Sequence, residues 1–149
     1  MRASCPHAAR LRTHLHPLGV GYRVRSLTQQ PFAQMRLGEA VARVRMAREL
    51  WNSCIVDLDD SYGTGGKLSV AARIGIRSSC ALVVQTCRDV VNDIMNSAGG
   101  SSYFLSAPLQ RIQRDVEVVK SHAIFDWDRV AQLQGRVQLG MRPADTDLI

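Results

Sequence analysis

Apolar residues recur at helical spacing along most of this chain, starting at Pro31. In the first such stretch they fall three or four residues apart over about six turns, which predicts one long helix that begins at Pro31. Residues 59–66, DDSYGTGG, combine acidic residues with glycines and are predicted to end that helix in a turn. The predicted apolar stripe consists of Leu37, Val41, Val44, Ala47, Trp51, Cys54, Ile55 and Leu58.

A second long helix is predicted over residues 67–98, where the helical spacing continues. Gly75 lies inside it and lowers its helix propensity. The pair Gly99–Gly100 is predicted to stop this helix. Its apolar stripe consists of Leu68, Ala72, Ile76, Cys80, Val83, Cys87, Val90, Val91 and Ile94.

Two further helices follow the glycine pair. Residues 101–107 are predicted to form a loop, and Pro108 to open a third helix that carries Arg111, Arg114 and His122.

Asp126 is a suitable N-cap for a short fourth helix over residues 127–139, which Gly140 and Pro143 end. No segment shows strand alternation. The sequence therefore predicts an all-α fold: an antiparallel up-and-down helical bundle of three long helices and a short C-terminal one, a partial four-helix bundle.

The net charge of +6 is unevenly distributed. Residues 1–31 contain five arginines and no acidic residue, so the rest of the chain is nearly neutral. It has no basic face interleaved with aromatic residues, and nucleic-acid binding is not predicted.

Residues 1–30 follow no helical or strand period. We expect a basic, disordered leader there, although its composition suits a transit peptide or a misplaced start codon equally well. The helical domain is predicted over residues 31–143 and a polar tail over residues 144–149.

Thiols and imidazoles form no recognisable ligand motif. The three histidines of the leader fit no standard ligand spacing, so no metal site is predicted. Cys5, Cys54, Cys80 and Cys87 include no CxxC pair, and the last two lie about 10 Å apart along the predicted helix, too far for a disulfide. We expect buried thiols in a protein of the reducing cytoplasm. No apolar run reaches the length of a membrane span, so no membrane partner is predicted.

Chemically useful groups concentrate between residues 98 and 123. The backbone of Gly99 and Gly100 can approach a ligand closely and offer amides to an oxyanion or a flat heterocycle, and Ser101 adds a hydroxyl. The spacing alone favours a simpler interpretation, a helix C-cap followed by ordinary salt bridges from Arg114 and its neighbours. His122 is the only histidine outside the first sixteen residues. Its imidazole can hydrogen-bond a peroxide, deprotonate a phenol or serve a structural role, and spacing does not choose between these.

The segment GGSSYFLSAPLQRIQRDVEVVKSH, residues 99–122, resembles the last helical domain of the acyl-CoA dehydrogenase fold. It is most similar to the flavin-dependent monooxygenase branch, the oxygenase components of two-component aromatic and polyketide hydroxylases. PFAQMRLGEAVARVRMAREL at 31–50 resembles an earlier helix of the same domain, and RVQLGMRP at 136–143 resembles its end. The likeness covers about residues 31–143.

In the dehydrogenases the comparable stretch has the pattern GGxGY, an Arg-Asp pair and a catalytic glutamate. Residues 99–103 match the first element, with a serine for the third glycine, and Arg114–Asp115 match the second. The position of the glutamate is Ala123. The resemblance therefore does not imply abstraction of an acyl-CoA α-proton.

The monooxygenase branch carries a histidine at the position of His122. The resemblance implies that this catalytic residue hydrogen-bonds the flavin C4a-hydroperoxide or helps to activate the substrate. It also implies that Gly99, Gly100, Ser101 and Arg114 bind the flavin, which a neighbouring subunit can hold. We therefore expect the diglycine corner and the His122 imidazole to converge on one cavity edge of the helical bundle.

The same resemblance implies a reaction and partners. A separate reductase would supply reduced FMN or FAD, and oxygen would pass to a carbon of an aromatic or polyketide-type substrate. Family bundles pack into homotetramers. Since family members also have an N-terminal helical domain and a β-domain, we expect this chain to be a fragment that is inactive alone. Two alternatives remain open: a helical oligomerisation module without catalysis, and a fragment of an acyl-CoA dehydrogenase-type oxidoreductase.

Overall fold

The computed structural model describes residues 29–63, 65–144 and 146–147. Every regular element within these ranges is helical, with no β-strand among them, which confirms the predicted all-α fold. Nearly all of the predicted leader, with its histidines and Cys5, and part of the predicted tail lie outside the described residues. Four α-helices and two 3₁₀ turns follow one another: α1 (Pro31–Gly63), α2 (Val70–Ala98), a first 3₁₀ turn (Gly100–Tyr103), α3 (Pro108–Lys120), a second 3₁₀ turn (Ala123–Phe125) and α4 (Trp127–Gln138).

The helices α1 and α2 form an antiparallel hairpin. Arg43 Nη1 donates to Asp93 Oδ2 at 2.7 Å. Further along α1, the thiol of Cys54 lies beside the thiol of Cys80. Residues later in α1 therefore contact residues earlier in α2. The two helices run antiparallel, as the sequence predicts for neighbouring helices joined by a short turn.

Small side chains form the contact surface of α1 with α2. Every seventh residue of α1 from residue 33 to residue 61 is Ala, Cys or Ser, and the middle three of these five are buried. Ala81 of α2 is also fully buried. Short side chains at a heptad spacing let two helix backbones approach closely over several turns. We call these five residues of α1 the small-residue seam: Ala33, Ala40, Ala47, Cys54 and Ser61.

The apolar stripe predicted for α1 was wrong as a description of its buried face. Ala47 and Cys54 are buried, but Leu37 and Val41 are 62% and 61% exposed. The helix is apolar on more than one side, and the large side chains point away from the seam because α1 packs extensively only against α2 among the described elements. We call the following residues the outer surface of α1: Phe32, Met35, Leu37, Val41, Met46 and Val56.

No helix in the described part of the chain combines the length and apolar character of a membrane span.

The helix α2 is the centre of the fold. It packs against α1, α3, α4 and both 3₁₀ turns. Because these neighbours surround α2, residues on several of its sides are buried. Of the apolar stripe predicted for α2, only Val90 is among the buried residues. On α4, Val130 and Leu133 are buried. The buried residues of α2 are Ile74, Ala81, Thr86, Val90 and Met95.

Local signals account for the ends of the first two helices. α1 continues through the acidic residues to Gly63, so it ends within the predicted 59–66 segment but more than a turn after its start. Gly65, at φ +64°, then makes the turn, a conformation that favours glycine. Ser69 accepts a hydrogen bond from the backbone N–H of Ala72 at 3.1 Å, and this N-cap starts α2 at Val70, three residues later than predicted.

A polar network that the sequence did not predict joins α2 to α3. Arg88 Nε donates to both carboxylate oxygens of Glu117, at 2.9 and 3.0 Å, and Asn92 Nδ2 donates to Oε1 at 2.9 Å. Gln113 Nε2 donates to Asn92 Oδ1 at 2.8 Å. The hydrogen bonds from Asn92 and Arg88 lower the pKa of Glu117 below its ordinary value. The four-residue spacings of Arg88 with Asn92, and of Gln113 with Glu117, are the signal that could have identified this pair of matching polar faces.

We expect Ala47→Leu to lower the free energy of unfolding by about 1–3 kcal/mol, because the larger side chain must enter the small-residue seam. Urea denaturation followed by circular dichroism measures this change. The matched control is Ala42→Leu on the exposed side of α1, which we expect to stay within about 0.5 kcal/mol of the wild type. Equal stability of the two variants would contradict close packing at the seam.

The lowered pKa of Glu117 predicts a pH dependence of stability. Between its lowered value in the folded chain and the ordinary value of 4.5, the unfolded chain binds more protons. The contribution of Glu117 is therefore fully present above pH 4.5 and is lost as the pH falls through the lowered pKa. Urea denaturation at a series of acidic pH values should give a shallower slope for Glu117→Gln than for the wild type. Glu49→Gln, at an exposed glutamate of α1, is the control and should keep the wild-type slope.

Candidate functional site

The diglycine corner, Gly99 and Gly100, ends α2 as predicted. Gly99 has φ +79°, a backbone conformation that favours glycine. The buried Ser102 stabilises the corner from inside, because its hydroxyl donates to the Gly99 carbonyl at 2.7 Å and its N–H donates to the same oxygen at 3.1 Å. The residues predicted as a loop after the corner begin with the first 3₁₀ turn. Ser102, which replaces the third glycine of the dehydrogenase pattern, is thus a structural residue.

The outer side of the corner is open to a ligand. Gly99, Gly100 and Ser101 are all exposed. A Cβ atom added at either glycine would meet no other part of the described chain within 4 Å. Close packing within the described chain does not require glycine at these two positions. The lack of side chains instead leaves the backbone accessible.

Arg114 lies on the exposed side of α3, and its side chain makes no hydrogen bond or ion pair with any residue that the structure describes. Its neighbour Asp115 instead forms a solvent-exposed ion pair within the helix, with its Oδ2 atom 3.7 Å from Arg111 Nε. The salt bridge between α2 and α3 in this region joins Glu117 to Arg88 and does not involve Arg114. Arg114 thus provides no polar contact between α3 and the rest of the described chain.

The prediction that His122 lies on the third helix was wrong. α3 ends at Lys120, where the N–H and the hydroxyl of Ser121 both donate to the Glu117 carbonyl, at 3.2 and 2.8 Å. His122 has an extended backbone, with φ −70° and ψ 135°, and caps the second 3₁₀ turn. Its Nδ1 accepts from the N–H of Ile124 at 3.3 Å. A neutral imidazole that accepts at Nδ1 carries its proton on Nε2, so the ring offers a hydrogen-bond donor on its other side.

Arg77 of α2 fixes the turn that carries His122. Its Nε donates to the Ile124 carbonyl and its Nη2 to the Ala123 carbonyl, each at 3.3 Å. The ring of Phe125 lies 6.1 Å from the imidazole, centroid to centroid. The position of His122 is therefore set by contacts with α2 as well as by its own chain segment.

His122 borders a cavity of about 790 Å³ between the end of α1, the first half of α2 and the second 3₁₀ turn. This is within the size range of small-molecule sites, and most of its lining is apolar or aromatic. We call it the His122 groove. Its lining residues are Trp51, Leu58, Tyr62, Leu68, Arg73, Ile76, Arg77, Cys80, His122, Ala123, Ile124 and Phe125.

The diglycine corner and His122 do not converge on one cavity edge within the chain, contrary to expectation. The corner lies at the start of the connection between α2 and α3, whereas His122 follows the far end of α3. The 13 residues of α3 rise about 20 Å between them. The two motifs are close in sequence, but the antiparallel course of α3 carries them to opposite ends of the bundle.

The cysteines in the described part of the chain are free thiols. Burial, with the neighbouring Cys54 thiol, raises the pKa of Cys80 to about 11, and burial also raises the pKa of Cys87. A thiol with a raised pKa is a weak nucleophile near neutral pH. The contact between Cys54 and Cys80 was not predicted, since it depends on how α1 and α2 pair. The described residues include no cluster of His, Cys, Asp and Glu suited to a metal ion.

Several relatives of the chain are oxygenase components of hydroxylases. It is 32% identical to the oxygenase component of p-hydroxyphenylacetate 3-hydroxylase from Acinetobacter baumannii, over 76% of this chain and 27% of that protein. It is 31% identical to a pigment production hydroxylase of Rhodococcus sp., over 76% and 29%. It is 30% identical to the oxygenase component of an FADH₂-dependent resorcinol hydroxylase from Rhizobium sp., over 78% and 30%. The chain thus spans less than a third of the length of these relatives.

Solved structures share the fold. The HsaA monooxygenase of M. tuberculosis superposes with a TM-score of 0.72 at 25% identity, over 85% of this chain and 33% of that one. XiaF from Streptomyces sp., determined in complex with FADH₂ and glycerol, superposes with a TM-score of 0.78 at 21% identity, over 87% and 33%.

The family model of the acyl-CoA dehydrogenase C-terminal domain matches residues 6–127. The match includes most of the segment assigned to the leader, and the domain boundaries at residues 30 and 143 stay predictions. It covers most of the chain and agrees with the resemblance first seen in residues 99–122. The chain therefore belongs to the family of acyl-CoA dehydrogenase C-terminal domains.

Proposed function

We propose that the chain is the C-terminal domain of a flavin-dependent monooxygenase that hydroxylates an aromatic or polyketide-type substrate with reduced flavin and O₂. The observation that carries this proposal is a histidine, fixed on a 3₁₀ turn, at the wall of a largely apolar groove. The names of the relatives support it, since they describe hydroxylases and monooxygenases.

The hydrogen bond of His122 favours one of its two expected roles. Since Nδ1 accepts from Ile124, the neutral ring presents Nε2–H and not a second basic nitrogen. A donor of this kind can hydrogen-bond an oxygen atom near the flavin, whereas removal of a proton from a phenol needs a free lone pair. We assign His122 the donor role.

The groove supplies the other contributions of the protein. Reduced flavin, when bound, provides the activation of O₂. The chain orients the reactants and excludes water, for which Trp51, Ile76 and Phe125 provide apolar surface. Ala123, at the position of the dehydrogenase glutamate, lies in the same turn and has no carboxylate. This disfavours the dehydrogenase alternative.

The flavin contacts proposed for Gly99, Gly100, Ser101 and Arg114 belong to a different end of the domain. Since about 20 Å separates the diglycine corner from His122, we assign them to separate flavin sites in an assembly, one at each end. The exposed backbone of the corner supports a contact with a flavin that another subunit holds, and so does the Arg114 side chain, which has no polar partner among the described residues.

Further parts of the enzyme complete the proposal. The chain spans 27% to 30% of the three relatives compared, so we propose that it does not hydroxylate a substrate alone. A separate reductase would supply the flavin, since two of these relatives are oxygenase components. FAD is favoured over FMN because one relative is FADH₂-dependent and one similar structure contains FADH₂. We also retain the cytoplasm as the proposed location.

Anaerobic titration of the chain with reduced flavin tests both contacts. We expect His122→Ala to weaken binding about fivefold through loss of one hydrogen bond, and Gly100→Leu to weaken it at least about tenfold by obstructing the corner. A Cβ atom at Gly100 would meet no other part of the described chain within 4 Å, so we expect the chain to accommodate the leucine. Gly135→Leu, at an exposed glycine of α4 with the same open surroundings, is the control. Unchanged binding in both test variants would contradict the proposal.

One observation favours a second function, a helical oligomerisation module. Apolar side chains cover the outer surface of α1 on a helix that has only one extensive packing partner in the described structure. A helix that is apolar on several sides is normally buried on several sides. Self-association of the chain, up to the expected homotetramer, would cover this surface.

Sedimentation equilibrium measures whether the chain self-associates, and so tests whether a second copy covers the outer surface of α1. We expect the chain to self-associate, and Val41→Glu to weaken association at least about tenfold by placing a charge in the contact. Val118→Glu is the matched control, because this valine of α3 is 69% exposed, compared with 61% for Val41. A wild-type chain that stays monomeric would exclude the module. Association without any flavin binding would favour the module over the monooxygenase domain.

A further inference from the structure

The described lining of the His122 groove carries positive charge and no negative charge. It includes Arg73 and Arg77 but neither aspartate nor glutamate. The rest of the lining is mostly apolar, with aromatic rings at Trp51 and Phe125. A cation at the edge of an apolar groove, with no acid to neutralise it, favours a ligand that combines an apolar body with an anionic group.

The two arginines have different roles. Arg77 donates two hydrogen bonds to backbone carbonyls of the second 3₁₀ turn, so its guanidinium is engaged in positioning that turn. Arg73 lies one turn earlier on α2, about 6 Å along the axis. Its side chain is exposed and makes no hydrogen bond or ion pair with any residue within the described ranges. Arg73 is therefore the arginine of the groove that is available to a ligand.

A second recess adjoins the groove at Arg73. It has a volume of about 350 Å³ and shares Tyr62, Leu68 and Arg73 with the groove. Its lining adds Lys67, a second cation, and again includes no acidic residue. Arg73 thus stands between an apolar space that reaches His122 and a smaller recess that carries a second positive charge.

We propose that Arg73, assisted by Lys67, is a specificity-determining residue that binds the anionic substituent of an aromatic substrate whose ring occupies the His122 groove. This inference rests on the proposed function and narrows its substrate to aromatic molecules that carry a carboxylate or a similar anion. A guanidinium can bind a carboxylate through two parallel hydrogen bonds, which also orients the attached ring. The ring then lies beside the turn that Arg77 fixes, within one helical turn of the anion.

The fluorescence of Trp51 reports on the groove directly. The chain has two tryptophans, so Trp127→Phe leaves Trp51 as the only one. The probes are phenylacetate and its neutral isostere phenylacetamide, titrated into this single-tryptophan chain. We expect phenylacetate to bind more tightly than the amide, and Arg73→Gln to weaken phenylacetate about fivefold while leaving the amide unchanged, since an exposed ion pair contributes about 1 kcal/mol.

A matched control variant makes the outcome specific. Arg48→Gln removes the same charge from an exposed arginine of α1 that lines neither cavity, and should bind phenylacetate like the wild type. Equal affinity of Arg73→Gln and the wild type for phenylacetate would overturn the proposal. So would equal affinity of the wild type for the acid and the amide.

The flavin phosphate is a second possible source of the anion, and a further titration separates it from the substrate. Reduced FMN carries this phosphate and reduced riboflavin lacks it. If only FMN shows an affinity that depends on Arg73, the residue recognises the cofactor and the substrate assignment is overturned. Failure of the proposed function is distinguishable from failure of this inference. The first would appear as absent flavin binding, whereas the second is measured by the preference of the groove for phenylacetate over phenylacetamide.

Discussion

The close approach of α1 and α2 along the small-residue seam is the constraint on which the remaining structure depends. Ala47 and Cys54 on α1 and Ala81 on α2 are almost completely buried, and none of them could be enlarged without separating the helices. This contact places Trp51 and Tyr62 of α1 beside the first half of α2, where they form one wall of the His122 groove. The groove therefore depends on a contact between residues that have no chemical role.

Local signals in the sequence were sufficient to predict where the helices begin and end, but not which face of each helix is buried. Pro31, Pro108 and Asp126 start helices, and Gly99 ends one, because capping and backbone preferences act within a few residues. Which side of α1 is buried depends instead on what packs against it. A pattern that counts large apolar residues selects Leu37 and Val41, whereas close helix contact selects alanines, and only the pairing with α2 decides between them.

The site shows the same division between local and long-range information. The identities of His122 and the glycines came from a resemblance over residues 99–122, and the proximity expected of them followed from their closeness in sequence. α3 separates them because a helix converts 13 residues into about 20 Å of rise. Arg77 was not predicted, since its two hydrogen bonds reach backbone carbonyls 46 and 47 residues away and leave no mark in the spacing of side chains.

The two ends of the domain differ in how completely the chain determines them. At one end, Arg77 fixes the turn of His122, and side chains from α1 and α2 already surround the groove. At the other end, the diglycine corner is stabilised from within by Ser102 but nothing in the described chain covers its outer side. Preorganised groups need no partner to take up a reactive geometry, whereas an open backbone gains its function only when another surface meets it. Under the proposed function, a domain that combines both would take part in two sites of an assembly, with its histidine in one and its glycines in the other.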